Sequence, residues 1–333
     1  MRKIHWGISL FLLLVFHAQA AQVSDGEEQL RQQIRERAQR ELLESKPDVR
    51  LPYQASSDAK PASGLIPTQE SPCFTISQIA LSGDASENFQ WALKAANVDE
   101  VTGKYDPALG QCLGAKAINL VMKRIQNAII AQGFVTTRVL ATSQDLKAGA
   151  LALTIIPGRI HAIYFAKDVS RRGTLWNAMP ANVGDILNLR DIEQALENFK
   201  RVPSAEADIQ IIPAEVDENP RNNGIESDDK ATFNKLGLSD LVISWKQRLP
   251  PFRISVSMDD SGNKSTGKYQ GSLTLSADDV LMLNDLFYVT GNHNLDFMND
   301  GAQGEHGTRG YAVHYSVPYG NWLFSFNTGL PRL

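Results

Sequence analysis

Apolar and polar positions follow different periods along the chain, and the first patterned segment is residues 24–46. Its apolar side chains recur only at every fourth position, at Leu30, Ile34, Ala38 and Leu42, so they form a stripe one residue wide. This spacing predicts a helix that is polar almost all round. Such a helix either stays solvated or lies inside a polar space such as a water-filled lumen, and the pattern alone favours the solvated interpretation.

Residues 47–72 show no apolar period and are rich in proline. Five prolines stand among serine, alanine, glutamine and aspartate, at Pro47, Pro52, Pro61, Pro67 and Pro72. Because proline fixes an extended backbone and lacks an amide hydrogen, the composition predicts an extended, mobile linker.

A globular pattern begins at Cys73 and repeats once, as residues 73–157 and residues 158–247. Each copy predicts an α+β unit of the order β-α-α-β-β. The apolar positions of the first copy are Ile79/Leu81, Phe89 to Ala96, Ile118 to Ile129, Val135/Thr137/Val139 and Leu151/Leu153/Ile155. Those of the second copy are Ile163/Phe165, Leu175 to Ala178, Ile192 to Phe199, Ile209/Ile211 and Leu241/Ile243/Trp245.

The second copy contains a long polar connection, residues 214–236, between its last two strands. A short hairpin turn would be enough to join two antiparallel strands. A polar loop of this length is either functional or disordered, and its residues do not favour one over the other.

Residues 248–333 alternate strictly between apolar and small polar side chains. Ile254, Val256 and Met258 alternate with serine and aspartate, and similar runs follow at residues 272–276, 310–317 and 322–326. A Gly-, Asn- and His-rich loop is predicted from Gly291 to Gly307. Strands with one apolar face and aromatic residues near their ends are typical of an outer-membrane β-barrel wall, which we favour over a soluble β-sandwich with one wet face.

The N-terminus carries the features of an export signal. Two basic residues precede the apolar run Ile8 to Phe16, and Ala18-Gln19-Ala20 provides a small-residue cleavage site, so residues 1–20 are predicted to be a signal peptide. No other segment is apolar enough to predict a membrane-spanning helix. The formal charge of −4 is too small and too evenly spread to indicate a nucleic-acid partner.

The predicted export of the chain bears on the state of its two cysteines. Cys73 and Cys112 are the only pair, and an oxidising compartment favours a disulfide between them over free thiols or part of a metal site. Closing a loop of this size contributes roughly 4 kcal/mol in the chain-entropy model.

No set of residues predicts catalysis. His161, His293, His306 and His314 are scattered, and the acidic and histidine side chains between 293 and 306 lack metal-ligand spacing. Nucleophile-elbow and phosphate-loop motifs are also missing from the sequence. We therefore expect no enzyme activity, no metal, no nucleotide and no other cofactor.

Several motifs together resemble one family, the hemolysin secretion/activation (ShlB/FhaC/HecB-type) transporters of two-partner secretion. Two parts of the chain resemble its polypeptide-transport-associated (POTRA) domains. The motifs that resemble the first domain are Pro72–Ile76, Gln126–Ile130, Gly133–Val139 and Ile155–Ile160. The motifs that resemble the second are Gly184–Asp191 and Ala195–Asn198. The segments that resemble the family's first barrel hairpins are Asp259–Gly262, Thr266–Tyr269 and Val317–Gly320.

The resemblance implies a Gram-negative outer-membrane channel for one dedicated exoprotein, such as a hemolysin, adhesin or contact-dependent toxin. It implies that residues 21–46 are a helix plugging the barrel, and that two periplasmic POTRA domains follow the linker. Partners would then be the unfolded exoprotein and outer-membrane lipid. The exposed sheet edge of each POTRA domain would bind the exoprotein, here through Val135, Thr137, Val139, Asp208, Ile209, Gln210, Ile211 and Ile212.

The length after Pro250 departs from the family's sixteen-stranded barrel. The remaining residues suffice for about five strands at roughly 10 residues each. An open sheet in lipid leaves backbone groups unpaired, so we expect a truncated transporter that forms no pore alone. The alternatives are a periplasmic POTRA module that binds a client without translocating it, and a barrel insertase of the same superfamily.

Overall fold

The computed structural model describes residues 64–167, 173–214, 237–260, 269–295 and 309–332, together with residues 34, 37, 41, 43, 44 and 49. The predicted signal peptide and residues 215–236 of the long polar connection lie outside this set. No helix among the described residues is long and apolar enough to cross a membrane.

The first α+β unit surrounds one apolar core. Strands β2 (Gln78–Gly83), β4 (Arg138–Leu140) and β5 (Ala150–Ile156) form a sheet of order β2-β5-β4, with β2 parallel and β4 antiparallel to β5. A 3₁₀ helix (Ser86–Asn97) and helix α1 (Ala115–Ala131) cover this sheet. The face of α1 that points inward repeats every four residues, through Ala117, Val121, Ile125 and Ile129, all fully buried.

A short ribbon joins the beginning of the unit to helix α1. Strand β1 (Phe74–Thr75) pairs antiparallel with β3 (Cys112–Leu113). Cys73 and Cys112 form a disulfide with a Cα–Cα separation of 5.3 Å, as the sequence predicts.

The second unit repeats this order with longer strands. It contains β6 (Arg159–Phe165), α2 (Leu175–Ala178), α3 (Leu189–Lys200), β7 (Ala205–Pro213) and β8 (Leu238–Gln247), in a sheet of order β6-β8-β7. Its core residues share near-complete burial and come from α3 and β8: Ile192, Leu196, Phe199, Leu241, Ile243 and Trp245. The β-α-α-β-β order is therefore confirmed in both copies.

One predicted strand is shorter than its alternation suggests. Strand β4 begins at Arg138, whereas Val135 and Thr137 lie in the turn after α1, where the amide of Thr137 donates to the carbonyl of Phe134. Both side chains are buried, and Val135 packs into the core of the second unit. The alternation at 135–139 thus reflects burial between the two units, and the prediction of a strand from Val135 is wrong.

Residues 64–72 are docked on the first unit, which corrects the prediction of a linker that is mobile up to residue 72. Ile66 is buried in the core, and its amide donates to Asp106 Oδ2 at 2.8 Å. The Glu70 carboxylate accepts three amides at the beginning of α1, at 3.0–3.1 Å, where an anion satisfies unpaired donors and the helix dipole. The docked segment therefore belongs to the first unit.

Five antiparallel strands form the last sheet, in the order β13-β12-β11-β10-β9. Their bounds are Phe252–Asp259 (β9), Gln270–Asp278 (β10), Leu286–Asn294 (β11), Arg309–Tyr319 (β12) and Trp322–Arg332 (β13). Strand β11 includes Gly291–Asn294, so the predicted loop from Gly291 to Gly307 begins too early. Gly291 pairs with Leu273 on β10 and with Tyr311 on β12, so it lies in an interior strand of the sheet despite its glycine-rich surroundings in the sequence.

The two faces of this sheet are inverted relative to a soluble protein. Ile254, Val256 and Phe326 are 72%, 64% and 62% exposed, whereas Thr274 and Ser316 on the opposite face are 4% and 0% exposed. A large apolar side chain left in water forgoes about 1.5–3 kcal/mol of burial, so a face carrying many of them is not a stable aqueous surface. The exposed face suits lipid.

Candidate functional site

The buried polar face of the last sheet contacts residues from the N-terminal part of the chain. Ile34, Arg37, Glu41 and Leu43 are helical, and we call them the N-terminal helical segment. Leu43 is buried in the same apolar cluster as Leu286 and Tyr288, and its carbonyl accepts a hydrogen bond from Arg253 Nη2 at 3.2 Å. The sequence favoured a solvated helix, but the end of this segment rests on the sheet.

Glu44 follows the helical segment and lies among basic groups from separate elements. Its Oε1 is 3.5 Å from Nε2 of His314 on β12. Arg201, directly after α3, is buried and donates from Nη2 to Ser316 Oγ at 2.5 Å. Burial lowers the pKa of Arg201, and the nearby Glu44 carboxylate opposes that effect. The end of the segment is thus held electrostatically between α3 and the sheet.

Asparagine side chains attach the second unit to the turns of the last sheet. Asn177 Nδ2 donates to the carbonyls of Leu283 and Pro318, at 2.5 and 3.2 Å. Asn284, in the turn after β10, donates back to the Thr174 carbonyl at 3.0 Å. Asn198 on α3 donates to the Gly320 carbonyl at 2.8 Å.

A charged group strengthens the same junction. The Asp278 carboxylate, fully buried, accepts the amide of Ser204 at 3.1 Å and pairs with Arg253 at 2.9 Å. Because buried polar groups are costly unless paired, these bonds fix one orientation of the second unit on the sheet. Sequence reasoning missed this junction. Its one visible signal was Asn198, a polar residue within the apolar face of α3.

The two α+β units are also joined directly. Arg159 of the second unit pairs with Asp84 of the first at 2.7 Å. The amide of Leu189, at the beginning of α3, donates to the Gly133 carbonyl at 2.8 Å. With Val135 buried between them, the units are connected by both polar and apolar contacts.

The predicted partner-binding residues fall on two different sheet edges. Five of them lie together in β7, an edge strand: Asp208, Ile209, Gln210, Ile211 and Ile212. Asp208 and Gln210 are exposed, whereas Ile209 is buried against the core. Of the other three, only Val139 is in strand β4, and its amide already donates to Gln126 Oε1 at 2.7 Å.

Within the described ranges, no three His, Cys, Asp or Glu side chains are grouped to hold a metal ion. His293 instead bonds to Arg309 and to the Asn294 carbonyl. Asp296, Asp300 and His306, which share its stretch of sequence, lie outside the described residues.

Two tandem β-α-α-β-β units, attached to an antiparallel sheet with an apolar outer face, define a POTRA protein with strands of the β-barrel transporter type. Family models agree: "POTRA domain, ShlB-type" matches residues 74–158, "POTRA domain" matches 159–213, and "Haemolysin secretion/activation protein ShlB/FhaC/HecB" matches 237–330. The chain belongs to this haemolysin secretion/activation family, which consists of secretion proteins rather than enzymes.

Named relatives cover nearly all of the chain. It is 36% identical over 313 residues to outer membrane transporter CdiB-2 of Burkholderia pseudomallei (strain 1026b), a match of 92% of this chain and 48% of the relative. It is 31% identical over 317 residues to Escherichia coli CdiB, covering 94% of this chain and 47% of the relative. The chain therefore spans about half the length of the curated relatives it matches.

A solved structure gives the same result for the fold. CdiB from Acinetobacter baumannii superposes with a TM-score of 0.66 at 26% identity, over 91% of this chain and 51% of that one. Because 91% of this chain is aligned, the similarity includes parts of both POTRA units and of the last sheet.

Proposed function

We propose that this protein acts in the outer membrane as a two-partner-secretion transporter, which takes one dedicated large exoprotein from the periplasm to the cell surface. The observation that carries the proposal is the inverted sheet, apolar outside and polar inside, which is held directly to the second of two joined POTRA units. The relatives CdiB-2 and CdiB, both outer membrane transporters, support the same assignment.

The polar face of the sheet is the surface along which the exoprotein passes. Thr274, Thr290 and Ser316 offer small hydroxyl groups, which exchange hydrogen bonds with water and with a passing backbone at little cost. The N-terminal helical segment occupies this face at Leu43 and acts as a plug. Its position means that the segment must leave, or shift, before a polypeptide can use the same surface.

Recognition takes place on the POTRA units by addition of a strand. An extended segment bonds to a sheet edge through main-chain groups, so binding makes few demands on its side chains. The nine residues of β7 provide such an edge. Since the second unit is fixed to the turns of the last sheet, a segment caught on β7 stays close to the entrance of the channel.

The proposal is tested by expressing the full chain with its cognate exoprotein in a Gram-negative host that lacks both. Because the five strands leave an open sheet, we expect exoprotein at the surface or in the medium, detected by immunoblot, when the chain is joined to the part of CdiB-2 that it does not span. The signal should be lost when the chain is omitted. Exoprotein that is bound by the chain but retained in the periplasm would instead support the client-binding module and overturn translocation.

A pair of neighbouring substitutions in β9 tests which face meets lipid. Val256→Lys places a charge on the apolar face near the middle of the strand, at a cost of about 2–4 kcal/mol if that face is in lipid. We expect reduced recovery of this variant in the outer-membrane fraction. The control is Ser257→Lys on the opposite face, which should be recovered normally, and equal loss of both variants would contradict the assignment of faces.

A further inference from the structure

The side chain of Gln126 occupies backbone bonding positions at the edge of the first POTRA unit. From helix α1, its Nε2 donates to the Thr137 carbonyl at 2.7 Å and its Oε1 accepts the Val139 amide at 2.7 Å. One side-chain amide thus satisfies a carbonyl and an amide two residues apart along the chain.

The sheet geometry shows which side of β4 these two groups face. Val139 is opposite Ile155 in the antiparallel pair β4–β5, but its amide bonds to Gln126 and not to β5. In antiparallel sheets, a residue whose amide avoids one neighbour points that amide to the other side. The Val139 amide and the Thr137 carbonyl are therefore the groups that an added strand would use, and Gln126 already bonds both.

A second glutamine does the same where β4 ends. Strand β5 continues past the last β4 residue, Leu140, and leaves Ala152 without a strand opposite it on that side. Gln144 fills the gap, because its Oε1 accepts the Ala152 amide at 2.7 Å and its Nε2 donates to the Ala152 carbonyl at 2.8 Å. Both amide groups take the place of a peptide unit in a neighbouring strand.

The β7 edge of the second POTRA unit has no such side-chain bonds among the described residues. Strand β7 pairs with β8 along its full length, from Ala205 opposite Gln247 to Pro213 opposite Ser239. Within the part of the chain that the structure describes, no side-chain amide bonds to its outer backbone groups from Glu206 to Ile212. Exposed Asp208 and Gln210 lie along it without covering the backbone.

We propose that Gln126 and Gln144 close the β4 side of the first sheet, so that, of the two edges β4 and β7, an extended polypeptide adds to β7. The inference rests on the proposed function for its natural partner, an unfolded segment of the exoprotein. It assigns the two POTRA units unequal roles. The second captures the main chain on β7, and the first is closed on its β4 side by its own glutamines.

The test maps where an extended peptide attaches to the full chain in detergent. The probe is a synthetic peptide of alternating threonine and valine with lysine at each end and one benzoylphenylalanine, cross-linked by light and located by mass spectrometry. We expect cross-links along β7 and none at β4. In the double variant Gln126→Leu/Gln144→Leu, new cross-links should appear around Leu140, while those at β7 persist.

Two further variants separate edge closure from general loosening. Gln132→Leu changes an exposed glutamine next to α1 and should leave the cross-linking pattern unchanged. Gln126→Glu keeps an acceptor for the Val139 amide but loses the donor to the Thr137 carbonyl, so it should open the β4 edge partly. Amide hydrogen exchange at Leu153 and Ile155 checks that the core of each variant stays folded.

Equal cross-linking of β4 and β7 in the unaltered chain would overturn the inference, as would an unchanged pattern in a folded double variant. Absence of any cross-link at β7 would also overturn it. None of these results bears on export itself, which the secretion assay measures separately, so failure of the inference and failure of the proposed function are distinguishable.

Discussion

Single buried polar residues decide how the segments of this protein are held together. Arg124 is the clearest case, because its guanidinium reaches from α1 to Asp106, to the Ala96 carbonyl and to the Gly64 carbonyl. Its side chain is 1% exposed and that of Asp106 is 12% exposed. The same aspartate accepts the amide of Ile66, so one ion pair organises both the core and the docked segment.

Replacing Asp106 by alanine should therefore be strongly destabilising. The change leaves the Arg124 charge buried without its carboxylate, which typically costs about 3–5 kcal/mol, and the remaining carbonyl acceptors favour the lower end. Chemical denaturation of the full chain, followed by tryptophan fluorescence, measures the loss. Asp84→Asn is the control, since it removes the charge from a pair with Arg159 in which the Asp84 side chain is 65% exposed, and should cost less than about 1 kcal/mol. Similar losses in both variants would contradict the argument.

Among the elements, those with strong periodicity could be predicted from the sequence and those set by tertiary contact could not. Helix α1 and strand β5 follow from apolar spacing alone. Strand β11 was partly missed because Gly291 and Asn292 signal a loop locally, although two neighbouring strands pair with them. The alternation near Val135 predicted a strand, but these residues lie in a turn. They are buried because they pack against the second unit, and not because they form part of a sheet.

Candidate site residues show the same division. Asp208–Ile212 could be placed on a sheet edge from alternation and the family resemblance, and they lie in β7 as expected. Gln126, Asn177 and Arg201 could not be identified from the sequence, because their partners are distant in it. Gln126 and Asn177 bond to carbonyls 11, 106 and 141 residues away, and Arg201 bonds to a serine hydroxyl 115 residues away. Sequence patterns report which face is buried, but not which distant carbonyl or hydroxyl a side chain will meet.

The ribbon of β1 and β3 should depend on its disulfide. Replacing Cys73 and Cys112 by serine opens a loop with a sequence separation of 39 and should lower stability by roughly 4 kcal/mol in the chain-entropy model. Thermal unfolding with and without reductant measures the effect. The double variant should match the reduced native chain and should not respond to reductant; a melting point equal to that of the oxidised chain would refute the estimate.

At the scale of the whole molecule, the contacts predict that both POTRA units and the last sheet move together. Arg159 and Leu189 join the two units, and three asparagines with Asp278 join the second unit to the sheet. These small polar bonds add to the apolar cluster that Val135, Leu286 and Tyr288 share with the core of the second unit. Losing one of them costs about 1 kcal/mol net, more where it strands a buried partner.

Asn177→Ala should loosen this junction without unfolding either side. Spin labels on cysteines introduced at exposed Glu206 and Ser325 report the distance between β7 and β13, and the native cysteines do not interfere because they are joined. We expect a broader distance distribution in the Asn177→Ala chain. Asn182→Ala, in an exposed turn, is the matched control, and a distribution that stays as narrow in both variants would contradict a clamp at Asn177.

The docking of residues 64–72 limits how far the N-terminal helical segment can move from the first unit. If the N-terminal helical segment leaves the sheet, it remains joined through residues 45–63 to Gly64, whose carbonyl is held by Arg124. About 19 residues span at most roughly 65 Å even when fully extended. The displaced segment therefore cannot diffuse away. Its return is an intramolecular event at an effective concentration set by the length of this connection, of the order of millimolar for short linkers, so the polar face of the sheet is covered again by the same chain.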